Sequence, residues 1–269
     1  MTTADIADDA MSLLELFQLD QHCTTQTART LDQFFIFIGA HRGQSSGACQ
    51  GMATVSQAGE ENLSFQVPGD ISGSAFWGAL AAGIPGSVVE IENLGLNPSR
   101  TALLDILRRS GAEVDVTVES EAAGEPIGRV RISCADRRSF SISPAEVPAV
   151  IDELPALGAL GTLLPEGSTM EVRGAAELRV KESDRISALV AGFRALGIDA
   201  DERDDGFVIR GRSGERPKGG VADARGDHRM AMAFAIAALA AEGPSTIDGA
   251  EAVDISYPGF FETLERLVS

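Results

Sequence analysis

Three long apolar runs punctuate the chain, each opened by an acidic residue and each rich in alanine: residues 70–83 (DISGSAFWGALAAG), 152–164 (DELPALGALGTLL) and 227–241 (DHRMAMAFAIAALAA). None carries the polar stripe of a surface helix, so a helix formed there is apolar all round and must be enclosed by protein. A glycine turn follows each run, and after Gly86, Gly167 and Gly243 come β-prone stretches at 87–91, 168–172 and 245–247 that predict strands. The period then changes. Amphipathic helices are predicted at 99–110, 183–196 and 260–268, the first two stopped by Gly111 and Gly197 in the usual left-handed position.

The glycine turns are evenly spaced, 167 − 86 = 81 residues and 243 − 167 = 76 residues apart, which points to three copies of one α/β unit starting near 70, 152 and 227. Further strands are predicted at 113–119, 129–134 and 207–210. The reading is a domain of three α/β units built around buried helices; the same helices packed on one face of a sheet remain the alternative. Residues 1–65 stand apart. The run 34–38 (FFIFI) is strand-like, but 23–30 and 40–57 are rich in Thr, Gln, Ser and Gly without a period. A degenerate, weakly packed remnant at 1–65 ahead of a domain at 66–269 is expected.

With 269 residues and 44% hydrophobic content, the chain can bury a sizeable core. A net charge of -18 repels polyanions, so no nucleic-acid partner is expected. No run reaches the roughly 18 apolar residues of a membrane span. Residues 1–20 hold five acidic groups and no basic one, unlike a signal peptide, and a cytoplasmic protein without a membrane partner is expected. Cys23, Cys49 and Cys134 are scattered without CxxC spacing, which argues against a zinc site or a disulfide framework. In so acidic a chain an anion must be caught where basic residues cluster.

One such cluster is LRVKESDRI at 178–186, where Ser183 can cap a helix, Lys181 and Glu182 precede it and Arg185 lies in its first turn. A solvated helix start with local ion pairs would give the same letters. A second is GDHRM at 226–230, opening the most apolar helix. His228 and Arg229 there combine two potential cations with free backbone N–H groups, which suits a phosphate or carboxylate. Basic side chains at that end oppose the helix dipole, which a purely structural helix start would avoid. The segments at 152–155 (DELP) and 68–74 (PGDISGS) read as capped helix entrances, for which a structural role suffices. Because the repeat puts the three entrances in equivalent places, they can face one cleft and gather Asp152, Lys181, Glu182, Arg185, His228 and Arg229 around an anion.

In order and spacing, PGDIS at 68–72, DELP at 152–155, AAELRVKESDRI at 175–186, GDHRMAMAFA at 226–235 and SYPGFFETL at 256–264 resemble the C-terminal domain of the 5-enolpyruvylshikimate-3-phosphate synthase family, from about residue 63 onward. The related enolpyruvyl transferase acting on UDP-N-acetylglucosamine shares that fold but lacks the pair RVKESDR and GDHRMA. The resemblance implies an inside-out α/β barrel of βαβαββ units. It implies transfer of the enolpyruvyl group from phosphoenolpyruvate to the 5-hydroxyl of shikimate 3-phosphate on the way to chorismate and aromatic amino acids, without metal or organic cofactor. By the same resemblance Asp152 is the base for the hydroxyl and Lys181 its contact. Glu182 moves the proton at the methylene carbon, and Arg185 and Arg229, with His228 beside them, hold the carboxylate and phosphate. Glyphosate competes for the phosphoenolpyruvate site in this family. The family's N-terminal Lys-Ser…Arg segment, Gly-Asn-Ala-Gly-Thr loop, Arg-Pro motif and Ser-Ser-Gln motif are not found here, and Asp254-Ile255-Ser256 stands where many members carry a basic residue. The alternatives are a non-catalytic domain that needs a separately supplied N-terminal half, a transferase for another acceptor, and an interaction module.

Overall fold

In the computed structural model the described residues are the strands Phe35–Ile38, Met52–Val55 and Leu63–Gln66 together with residues 67–122, 124–211 and 216–268. In chain order, β1 (Phe35–Ile38), β2 (Met52–Val55), β3 (Leu63–Gln66), α1 (Ile71–Gly83), β4 (Val88–Gly95), α2 (Ala102–Arg109), β5 (Ala112–Ala122) and β6 (Glu125–Cys134) lead into a second series. That series is β7 (Phe140–Ile142), α3 (Val147–Val150), α4 (Leu154–Thr162), β8 (Thr169–Val172), α5 (Arg185–Ala195), β9 (Ala200–Arg203) and β10 (Gly206–Arg210). The third is β11 (Val221–Asp223), α6 (His228–Ala238), β12 (Thr246–Asp248), α7 (Val253–Ser256) and α8 (Phe260–Val268).

The repeat seen in the sequence is a repeat of topology. Two four-stranded sheets have the orders β1-β4-β6-β5 and β7-β8-β10-β9, each with one parallel pair and an antiparallel hairpin added to it. In the third unit β11 and β12 form the parallel pair. The helix between the parallel strands of each pair is the apolar one, α1, α4 or α6, and nearly every residue of the three is buried. These helices pack on one another, with separate sheets outside them. The one-sheet alternative fails because helices apolar on every side need protein on every side. This is the inside-out α/β arrangement. Of the second helices, α2 and α8 bury one face (Leu103, Leu104, Ile106 and Leu107; Phe260 and Leu264) and leave charged residues outside.

Helix ends account for the differences from expectation. Asp70 and Asp227 cap α1 and α6, accepting from the N–H groups of Ser72 and Gly73 and of Arg229. Asp152 does not cap α4. Glu153 occupies the cap position without a side-chain bond; Pro155 at the second helical residue has no N–H to offer, and the Glu153 carboxylate lies 3.7 Å from Arg100. Ser183 does not cap α5 either. Asp184 does, accepting from Ser187 N at 3.1 Å, and the Ser183 hydroxyl turns to the carboxylate of Asp227 at 3.3 Å. Gly111 and Gly197 take positive φ, 103° and 86°, as predicted for the helix stops. At the far end of the core, Arg137 Nη1 donates to the carbonyls of Gly83 and Leu163, at 3.2 and 2.6 Å, so one cation satisfies the C-terminal ends of both α1 and α4.

The expectation of a weakly packed remnant at 1–65 falls largely outside the described residues; of that stretch, β1 pairs in parallel with β4 and β2 pairs antiparallel with β3. Among the described residues no helix is long and apolar enough to cross a membrane.

Candidate functional site

One guanidinium ties the entrances of the three buried helices together. Arg229, the second residue of α6, donates Nη1 to the carbonyl oxygen of Asp152, two residues ahead of α4, and Nη2 to the hydroxyl of Ser72 in the first turn of α1, at 3.1 Å. Arg185, the first residue of α5, extends the network. Its Nε and Nη2 donate to the two carboxylate oxygens of Asp227 at 2.7 and 3.3 Å. Its Nη2 also meets Glu182 Oε2 at 2.6 Å, and its Nη1 lies 3.7 Å from Asp152 Oδ1. Lys181 Nζ approaches the same Asp152 oxygen at 3.7 Å and Glu177 Oε1 at 3.3 Å. Asp152, Lys181, Glu182, Arg185 and Arg229 therefore form one cluster, with Arg185 and Arg229 on the same side of the protein. His228 completes it, within electrostatic reach of Arg185, Arg229, Asp227 and Glu182.

The cluster is graded from inside to outside. The side chains of Arg185 and Asp227 are 1% and 0% exposed, whereas Lys181, Asp152 and Glu182 are 25%, 37% and 58% exposed. A buried cation thus sits at the base and an exposed acid at the rim. Burial alone would raise the pKa of Asp227. The hydrogen bonds and charge of Arg185, with the Arg229 N–H and His228, outweigh it and hold the carboxyl below its usual range. His228 moves the other way from the cation expected of it. Burial first, then the positive charge of Arg229, lower its pKa from 6.5 against the pull of Asp227, so its imidazole is neutral at pH 7. Of the two potential cations at this helix start, Arg229 alone carries charge.

That shift has a measurable consequence. The unfolded chain takes up a proton on His228 near pH 6.5 and the folded chain resists it, so this part of the stability is fully present above pH 6.5 and is lost as the pH falls through the folded value. The urea midpoint should drop between about pH 7.5 and about pH 5.5, and drop less in His228→Gln. An equal drop in both proteins would contradict the half-buried neutral imidazole.

A model of the EPSP synthase (3-phosphoshikimate 1-carboxyvinyltransferase) family matches residues 3–264. The chain belongs to the EPSP synthase family. It is 40% identical over 232 residues to the 3-phosphoshikimate 1-carboxyvinyltransferase of Synechococcus sp. (strain RCC307), covering 86% of this chain and 52% of that protein. The corresponding protein of Lactiplantibacillus plantarum is 42% identical over 262 residues, 97% of this chain and 58% of its own length. Among solved structures, an EPSP synthase from Acinetobacter baumannii superposes with a TM-score of 0.71 at 36% identity, covering 81% of this chain and 52% of that one. The chain spans about half the length of the curated relatives it matches. The family match starts well ahead of residue 63, where the motif resemblance begins.

In this EPSP synthase family member the last of the quoted motifs packs against the first helix entrance. Trp77 Nε1 donates to the Tyr257 hydroxyl at 2.7 Å, and Tyr257, Trp77, Phe260 and Phe76 form an aromatic cluster. Asp254, Ile255 and Ser256 are exposed, Ile255 to 88%. Arg179 braces the lysine-glutamate segment from behind. It donates to Asp184 and Glu202 and to the carbonyls of Arg203 and Asp204, fastening the residues before α5 to the β9–β10 turn. Sequence reasoning gave no site role to Ser72, Asp227 or Ser183. Each was read only as a helix cap or helix opener, and the single available signal was the position of Asp227 directly before two basic residues. Among the described residues no group of three or more His, Cys, Asp or Glu is arranged to hold a metal ion.

Proposed function

We propose that this chain carries the phosphoenolpyruvate side of an enolpyruvyl-transfer site whose acceptor is shikimate 3-phosphate. The observation that carries the reading is the convergence of Arg185, Arg229 and Lys181 on Asp152, with Glu182 on the open edge of the same cluster. Adding an alcohol to an enol phosphate requires a base for the oxygen, an acid for the methylene carbon and fixed positive charge for an intermediate bearing a phosphate and a carboxylate. All three are within one cluster here.

In this reaction Asp152 takes the proton of the acceptor 5-hydroxyl as its oxygen bonds to C2 of phosphoenolpyruvate, and Glu182, protonated from solvent once an anion has displaced it from Arg185, delivers that proton to C3. Arg185 and Arg229 offer planar donors to the carboxylate and phosphate, and Lys181 steadies the charge that develops at the acceptor oxygen. In the second half the bond from C2 to the phosphate oxygen breaks and Glu182 recovers a proton from the C3 methyl group. The phosphate leaves with the proton that Asp152 had taken. Glu182 rests on Arg185 at 2.6 Å, so an anion taking that guanidinium displaces the carboxylate toward the substrate; the glutamate is 58% exposed and free to move into solvent, whereas the guanidinium is buried. Neutral His228 serves as a hydrogen-bonding wall and adds no charge to the anion site.

A second reading is favoured by the chain's coverage of about half of its relatives: turnover requires the other half of the cleft, supplied as a separate N-terminal half. One assay addresses both. Phosphate release from phosphoenolpyruvate and shikimate 3-phosphate is measured on the chain alone and with the N-terminal half of a relative added. Release that falls by about a hundredfold or more in Glu182→Ala is the expected result. Release only in the mixture favours the second reading, and no release in either overturns enolpyruvyl transfer by this chain.

A further inference from the structure

We infer that Ser72 is a positioning residue for the anion site: its hydroxyl orients the guanidinium of Arg229 while leaving that group's positive charge uncompensated. The inference deepens the proposed reading and rests on it for its substrate.

Ser72 is 2% exposed, and its own N–H is already spent on Asp70 Oδ1 at 3.0 Å. Ser74, one half-turn on, bonds its hydroxyl back to the carbonyls of Asp70 and Ile71, the ordinary fate of serine in a helix. The hydroxyl of Ser72 instead accepts from Arg229, which belongs to a different repeat. The two arginines of the cluster are held in opposite ways. Arg185 is surrounded by the carboxylates of Asp152, Glu182 and Asp227. Arg229, among the described residues, is held through its guanidinium by neutral oxygens only, the Asp152 carbonyl and the Ser72 hydroxyl. A carboxylate at position 72 would orient Arg229 equally well but cancel part of the charge that a ligand must find. A short neutral acceptor fixes the plane of the fork and keeps its field, which is what recognition of a small anion requires in a chain of net charge -18. Ser72 is also the point through which the first repeat reaches this guanidinium, so the orientation of Arg229 depends on all three helix entrances being docked.

The test uses the whole chain and two readouts. Side-chain nitrogen relaxation reports the order of Arg229 Nε without any ligand, and titration with phosphoenolpyruvate reports affinity. In Ser72→Ala, and in Ser72→Cys, which nearly preserves volume but has a weak acceptor, Arg229 should become mobile while Arg185 stays ordered. Phosphoenolpyruvate should bind about tenfold more weakly, the scale of one hydrogen bond to a charged group. Ser72→Thr, which keeps the hydroxyl, should restore both. An Arg229 as ordered in the folded Ala or Cys variant as in the parent chain overturns the inference. Loss of Arg229 order without any phosphoenolpyruvate binding by the parent chain sustains the positioning role and removes the proposed substrate.

Discussion

Asp227→Ala should cost about 3–5 kcal/mol of folding stability and abolish anion binding together, because it strands a buried cation. The carboxylate of Asp227 is wholly enclosed and accepts from Arg185 Nε and Nη2, from the Arg229 N–H and from the Ser183 hydroxyl. Remove it, and Arg185, 1% exposed, keeps Glu182 at 2.6 Å and Asp152 at 3.7 Å, both solvated and neither able to replace two hydrogen bonds inside the core. The cap of α6 is lost at the same time, worth about 1 kcal/mol more. Urea unfolding gives the first number, and a loss below about 1 kcal/mol would mean that Arg185 relaxes outward and that the buried pair is dispensable. The double replacement Arg185→Met with Asp227→Leu separates the two effects. It should recover part of the stability, since an apolar pair often substitutes for a buried ion pair, and should recover none of the phosphoenolpyruvate binding.

Gly111→Ala is expected to be comparably damaging for a different reason. Its φ of 103° disfavours any side chain, and a Cβ there would lie 1.5 Å from the carbonyl oxygen of Asp136. The neighbouring backbone cannot easily retreat: Asp136 N donates to the Gly111 carbonyl and Arg138 N to the Ser110 carbonyl, each at 3.0 Å. Between them Arg137 reaches in to the C-terminal carbonyls of α1 and α4. Strain at 111 is thus passed to the far ends of the helices whose near ends form the proposed anion site. A loss on the order of 4 kcal/mol or more is expected in thermal unfolding. Gly86→Ala is the control, with φ 81° but nothing within 4 Å of the added carbon, and should lose only about 1 kcal/mol. Equal losses at the two positions would show that backbone conformation alone matters and that the packing at Asp136 is soft.

How much of this was legible differs from one kind of feature to the next. The three apolar helices, the strands after them and the glycine stops at 111 and 197 follow from hydrophobic period and from conformational preferences that act over a few neighbours. The capping acid at 70 was legible for the same reason, since a cap bonds to N–H groups two or three residues away, whereas Asp227 was read only as the acid that opens its helix. At 152 and 183 the same local logic failed, because tertiary partners drew Asp152 toward Lys181 and Arg185 and Ser183 toward Asp227. Asp152, Lys181, Glu182, Arg185, His228 and Arg229 were readable from motifs, but their partners Ser72, Ser183 and Asp227 and the charge of His228 were not. Burial and the nearness of Arg229 decide it, and neither can be measured along the chain.

By itself the order of residues determined the threefold repeat, the all-round apolar surface that requires its helices to be enclosed and the placing of acids and bases at their entrances, all of which are patterns read over a few neighbouring positions. Tertiary structure alone decided that the hydroxyl of residue 72, the carbonyl of residue 152 and the guanidinium of residue 229 meet, and that Asp227 neutralises Arg185 while Arg229 keeps its charge. The physical reason is range: hydrogen bonds and charges act over a few ångströms of space, and these groups are brought that close by the packing of three helices far apart in sequence.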